Sequence, residues 1–246
     1  MKRRLISLIF FALIIYLLSP SSISAKKNFV DSLSLGLEKE IGHISYKRII
    51  TEKQVVQLPP ENEKQLNSIF SKLVDQSGRK KEVNYSLAVV KDETINAFAL
   101  PAGYIFVHTG LLSYAKSDGE LAGVLAHEIA HVDQRHSMKA ISRTIGMSAL
   151  LGLVVNKSSE KRKEEITKIG MVAINLAQLG YSREAEYEAD AYGVKFMKRA
   201  GYPKEEILNF WKRMEGQSDS GESSSLLQLF STHPPTSERI KRIEAM

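Results

Sequence analysis

The chain has 246 residues, 43% hydrophobic and 25% charged, which suits one globular domain with a sizeable core. It contains no cysteine, so disulfides and a lipid-bearing cysteine behind a leader are excluded. The formal net charge of +6 becomes +3 if a leader carrying Lys2, Arg3 and Arg4 is removed. That is too modest for a nucleic-acid binder; it would support peripheral contact with an anionic membrane, but a solvated surface is the simpler reading.

Lys2-Arg3-Arg4, the apolar run from Leu5 to Leu18 and the small-residue end Ser19 to Ala25 read as a secretory signal peptide. Cleavage after Ala25 is expected, with an uncleaved anchor as the alternative. Export then places residues 26–246 in the periplasm or cell envelope as a single domain. From Lys26 to Leu58, Leu33, Leu37 and Ile41 recur at helical spacing. Pro59-Pro60 breaks the chain, and Glu61 to Gln76 reads as a second helix with Leu66, Ile69, Phe70 and Leu73 on one face. Tyr85 to Lys91, Ile95 to Leu100 and Tyr104 to Val107 are strand-like and suggest a small antiparallel sheet, followed by a short helix from Gly110 to Ala115. A sheet edge there could align an extended peptide by main-chain pairing, or could merely support the next helix. His43 reads as a surface residue and His108 as structural.

Ser117 and Glu120 form an S-x-x-E helix start, and Leu121, Val124, Leu125, Ile129 and Val132 follow at the spacing of a buried helical face. On that helix lies His127-Glu128-Ile129-Ala130-His131, the H-E-x-x-H pattern. Residues four apart sit about 40° apart round a helix, so His127 and His131 can hold one metal ion together. Glu128 stands beside them as a base for water. Zinc bound by two neutral imidazoles and one more protein ligand keeps a position open for water and lowers its pKa to about 7. His136 lies half a turn away from His127 if the helix continues, so it reads as a packing or capping residue.

Met138 to Val155 and Ile166 to Leu179 read as two apolar helices joined by a charged, mobile loop from Asn156 to Glu165. They could belong to the core, cover a site, or face a membrane or partner. Ser182 to Asp190 opens another helix and offers carboxylates for the missing ligand. Glu184 and Glu188 share one face, Glu186 and Asp190 another, and spacing does not choose between them. Lys204 to Gly216 is helical and holds the only tryptophan, Trp211. Gln217 to Ser225 reads as a flexible loop and Leu226 to Phe230 as a short apolar turn. Pro234-Pro235 fixes the backbone after His233 and could brace that imidazole towards the metal. A last helix runs from Ser237.

His127 to His131, Glu186 to Asp190, Asn96 to Val107, and Thr232-His233-Pro234 through Arg239-Ile240, in this order, resemble the Ste/HtpX/Oma-type metalloendopeptidases, metallopeptidase family forty-eight. The resemblance implies an α+β, mostly helical gluzincin (zincin-like) fold with a small sheet beside the active-site helix. It implies one Zn2+ held by His127, His131 and Glu186, with Asp190 bracing a ligating histidine. It implies that Asn96, Ala97 and Phe98 form the substrate edge, and that His233 gates the metal or assists at the oxyanion. Compared with other branches, this sequence has no lipoprotein cysteine, and neither their transmembrane helices nor their tetratricopeptide domain is expected of it. The implied activity is hydrolysis of peptide bonds in protein or peptide substrates, with envelope protein quality control as the expected setting. A chaperone that holds unfolded envelope proteins, with a latent or His233-gated zinc site, is the alternative.

Overall fold

The computed structural model describes residues 20–155, 160–218, 232–234 and 237–246. The apolar core of the expected leader, most of the Ser/Gly-rich loop and the apolar turn from Leu226 to Phe230 lie outside them. The chain divides into two units, residues 1–37 and 38–246. Helix α1 spans Pro20–Glu52, so it runs through the expected cleavage point after Ala25. The first unit contributes the start of that helix, and the rest of the fold belongs to the second.

After α1 come α2 (Pro60–Val74), β1 (Ser86–Val90), β2 (Ala97–Ala99), a 3-10 turn at Pro101–Gly103 and β3 (Tyr104–His108). Then follow α3 (Thr109–Tyr114), α4 (Asp118–Asp133), α5 (His136–Ile145), α6 (Met147–Val155), α7 (Glu160–Leu179), α8 (Arg183–Ala200), α9 (Glu205–Ser218) and α10 (Ser237–Glu244). Helix α4 is the central element, packed by α2, α8, α9 and β2. Its fourteen residues from Gly119 to Val132 are all buried. Among the described residues, no helix is long and apolar enough to cross a membrane.

The three expected strands form one sheet in the order β1-β3-β2. It is mixed rather than wholly antiparallel: β2 runs antiparallel to β3, but β1 runs parallel to it. The reason lies between β1 and β2. Instead of turning tightly, residues 91–96 cross the end of β3 and are pinned there. The Thr109 hydroxyl donates to the Asp92 carbonyl (2.8 Å), Asp92 N–H donates to Thr109 Oγ1 (3.1 Å), and His108 N–H donates to Asn96 O (3.0 Å). The tight connection comes later, where Leu100 N–H bonds Tyr104 O and Gly103 takes φ 94°, a conformation glycine adopts freely.

One face of the sheet packs on α1 and α7. Ile49, Val90, Phe98, Leu100, Phe106, Ile174 and Ala177 form a shared cluster, with Phe98 stacked on Phe106 at 5.1 Å. Helix α7 begins at Glu160, inside the segment expected to be a mobile loop. Exposed Glu–Lys pairs one turn apart support its first turns. The Arg162 guanidinium also grips Glu40 through two bonds of 2.7 and 2.6 Å. Gly146, at φ 86°, separates α5 from α6 within the apolar stretch.

The lower end of α4 is clamped by charge. Arg79 donates through both Nη atoms to the buried Glu38 carboxylate (2.9 and 3.0 Å), and its Nη1 also reaches Val132 O at 2.9 Å. Arg135 Nε lies 3.0 Å from Glu38 Oε2. A cation at a helix C-terminus also complements the helix dipole.

His108 provides a test of this packing. It is fully buried, and its Nδ1 meets the Thr94 hydroxyl at 2.7 Å. Burial lowers its pKa to about 4, outweighing the attraction of Asp92. The unfolded chain, with a histidine near 6.5, therefore takes the proton first as pH falls. The stability is present above about pH 6.5 and is lost towards pH 4. Between pH 7 and 4.5, urea unfolding of the parent should lose about 2–3 kcal/mol more than that of His108→Gln.

Candidate metal centre

Helix α4 starts where the sequence signal places it. Ser117 Oγ accepts from Glu120 N–H at 3.1 Å. The Glu120 carboxylate accepts from Lys116 N–H at 2.8 Å and from Arg213 of α9, whose Nη2 lies 2.7 Å away. This start sets the register that turns His127 and His131 towards α8.

Helix α8 is capped by Ser182, whose side chain accepts from Ala185 N–H. Two turns beyond Glu186, Gly193 meets α4. A Cβ on Gly193 would stand 3.2 Å from His127 N and 3.3 Å from its Cα. The missing side chain lets α8 lie close enough for its carboxylates to reach the histidines. The face left open by the spacing argument is the Glu186/Asp190 face: both are buried, whereas Glu184 is exposed and Glu188 half-buried.

Five side chains converge, none more than about 3% exposed: His127, Glu128, His131, Glu186 and His233. His127, Glu128, His131 and His233 each present a ligand atom within 4.8 Å of the others. The Glu186 carboxylate adds oxygens 3.3 Å from His127 Nε2 and 3.5 Å from His131 Nε2. The two histidine Nε2 atoms are 2.9 Å apart. His233 Nδ1 lies 2.9 Å from Glu186 Oε2, and its Nε2 lies 3.4 Å from Glu128 Oε1. Glu186 Oε1, Glu128 Oε2 and His233 Nε2 are buried without a hydrogen-bond partner. Buried polar atoms are normally satisfied, so orphans beside two imidazoles point to a ligand. Two imidazole nitrogens and a carboxylate form a zinc-type donor set.

The outward nitrogens of the two histidines are held as well. His127 Nδ1 faces Asp190 Oδ1 at 3.0 Å. Arg239 of α10 secures Asp190 with two bonds of 2.7 Å, and its Nη1 lies 3.3 Å from Glu186 Oε2. Its guanidinium stacks on Trp211 at 4.7 Å. His131 Nδ1 faces His136 Nδ1 at 2.8 Å, and Tyr181 stacks on the His131 ring at 4.6 Å.

These contacts set the charges. Burial would raise the Glu186 carboxyl, but His233, His127 and His131 outweigh it and hold it well below the usual range. Burial is opposed in the same way at Asp190, where Arg239 keeps the carboxylate ionised. Burial lowers His131 well below its ordinary value. At His127 burial acts downward too, but Asp190 and Glu186 prevail and lift it to about 9. Glu128 moves the other way, pushed up by burial.

The residues expected at the substrate edge lie in and just before β2. Asn96, Ala97 and Phe98 are fully buried, and Phe98 belongs to the core behind the sheet. Their side chains are not free to meet a substrate, so a role for this segment falls to its backbone. β2 is an edge strand, packed on α4, the helix that carries Glu128. Three contributors were not legible. Arg239 carried no spacing signal to Asp190. Tyr181 precedes the acidic helix as an ordinary aromatic. His136 reaches His131 because α4 ends at Asp133 and Arg135 turns the chain with φ 56°.

Arg239→Met should keep the apolar packing on Trp211 and leave two buried carboxylates without their cation. Denaturant unfolding should report a loss of about 3–5 kcal/mol. Adding Asp190→Asn should restore part of it, because the unpaired buried charge carries the penalty.

Residues 60–246 match Peptidase family M48. The chain is 32% identical over 226 residues to the mitochondrial metalloendopeptidase OMA1 of Schizosaccharomyces pombe, covering 90% of this chain and 64% of that protein. It is 26% identical over 215 residues to the beta-barrel assembly-enhancing protease of Escherichia coli K12, covering 85% and 43%. It is 28% identical over 161 residues to the metalloprotease YcaL of the same strain, covering 65% and 61%. The chain thus spans less than two thirds of the length of each of these relatives. With a buried histidine–carboxylate cluster on an H-E-x-x-H helix and a match over most of its length, the chain belongs to peptidase family M48.

Proposed function

We propose that this chain is a zinc-dependent metalloendopeptidase acting on protein substrates, with His127, His131 and Glu186 as the metal ligands. The observation that carries the reading is the Glu186 carboxylate within 3.5 Å of both imidazole Nε2 atoms, with one oxygen unpartnered. Glu186 is favoured as ligand because its carboxylate oxygens face the Nε2 atoms of both histidines, at 3.3 Å and 3.5 Å. Asp190 then orients His127 through Nδ1, so that Nε2 faces the metal.

Zinc, when bound, supplies Lewis acidity, lowering the pKa of water towards neutrality and polarising a scissile carbonyl. Glu128 takes the proton from the attacking water and delivers it to the leaving amine nitrogen. The free edge of β2 aligns the peptide main chain beside Glu128. His233 stands among the donors, held by Glu186 and facing Glu128, and so keeps substrate out of the resting site.

Envelope protein quality control is the finer reading. It is supported by the basic and apolar leader and by the likeness to the beta-barrel assembly-enhancing protease. Fusing residues 1–25 to a reporter active only outside the cytoplasm should give activity; an inactive reporter removes the export argument.

Purified Glu128→Gln should keep one zinc per chain and cleave casein at least about a hundredfold more slowly than the parent. His233→Ala should keep zinc and cleave faster. Parental cleavage by Glu128→Gln would defeat the assignment of the base. No cleavage by either the parent or His233→Ala would favour the holdase.

A further inference from the structure

His127 is steadied by a carboxylate, and His131 has a counterpart that the zinc-site reading above leaves unexplained. His131 Nε2 faces the cluster, 2.9 Å from His127 Nε2, so its Nδ1 is the outward nitrogen. That Nδ1 meets another imidazole nitrogen, His136 Nδ1, at 2.8 Å, and both rings are buried. A contact this short between two ring nitrogens needs one to donate and the other to accept. His136 Nε2 lies 3.0 Å from Glu188 Oε2, a carboxylate that can only accept when ionised. The proton on His136 is therefore drawn to Nε2, and Nδ1 is left as the acceptor. His131 must then carry its proton on Nδ1, which leaves the Nε2 lone pair aimed at the cluster.

We infer that His136 and Glu188 form a positioning pair that fixes the tautomer and ring orientation of His131 for metal binding. The geometry that permits it is local. Arg135 adopts φ 56° and ends one helix, and His136 opens the next, folded back over His131. Ser137 Oγ meets Tyr181 Oη at 2.7 Å, and Tyr181 covers the other face of the His131 ring, so the ring is held from its edge and its face. Glu188 stands one turn from Glu184 on the outer side of α8, and Lys139 Nζ lies 3.4 Å from it. The pair thus runs from solvent to the ligand, with the carboxylate half-exposed and the imidazole enclosed.

The inference rests on His131 being a ligand, and the experiment separates the two claims. Zinc affinity of the full chain is measured by competition with a chromophoric chelator, independently of proteolysis. His136→Phe keeps the ring volume and removes the acceptor; affinity should fall about 10–100-fold. His136→Asn places a carboxamide oxygen near the Nδ1 position and should recover most of that loss. Glu188→Ala should weaken zinc several-fold in the parent and have no further effect in the His136→Phe background, because the carboxylate acts only through that imidazole. A structural role alone would give neither the Asn rescue nor the non-additivity. If His136→Phe fails to fold, the Asn and Glu188→Ala variants still decide. Parental affinity in Glu188→Ala, or affinity no better in His136→Asn than in a His136→Ala variant, overturns the pair. The control is His131→Ala: loss of zinc there with parental affinity in Glu188→Ala defeats this inference alone, whereas retained zinc in His131→Ala defeats the ligand assignment as well.

Discussion

The close approach of α8 to α4 is the constraint on which the centre depends. At Gly193 there is room for a hydrogen and little more beside the His127 backbone. That fit brings Glu186 and Asp190 to the two imidazoles. The contact is apolar and steric in origin, yet its result is electrostatic. Once the helices touch, four ionisable groups share a volume from which water is largely excluded, and each must find a partner. Asp190 finds Arg239, Glu186 finds the histidines, and the local charge is balanced among α4, α8 and α10.

A second balance holds the other end of α4. Glu38 is enclosed between Arg79 and Arg135, and Arg79 also takes a carbonyl at the end of the helix. Breaking one partner of such a buried set leaves a charge without solvent, which is expensive. The helix is therefore fixed at its start by Ser117, Glu120 and Arg213 and near its end by Arg79. Between these two anchors the H-E-x-x-H turn has little freedom to rotate.

Much of this was readable from the chain. The Ser117 cap, the apolar spacing of α4 and the two histidines four apart are local patterns, and local patterns survive folding. Spacing did not tell the Glu186/Asp190 face from the Glu184/Glu188 face, because both lie on one amphipathic helix and only its docking decides which turns inward; only the family resemblance pointed to Glu186. The direction of β1 was hidden for a similar reason: residues 91–96 cross over β3, held by Thr109 and Asn96, and nothing in their composition distinguishes that path from a turn. The left-handed Arg135 was the least visible feature. A non-glycine residue there gives no sequence sign, yet it redirects His136 towards His131.

Helix α8 carries Glu186 in the cluster, Asp190 against His127 and Glu188 against His136. A single rigid rod thus reaches the inner side of the centre and the outer side of both imidazoles. A tilt of that rod would therefore disturb the supports of both imidazoles at once. The alignment of the two imidazoles is thus tied to the seating of one helix.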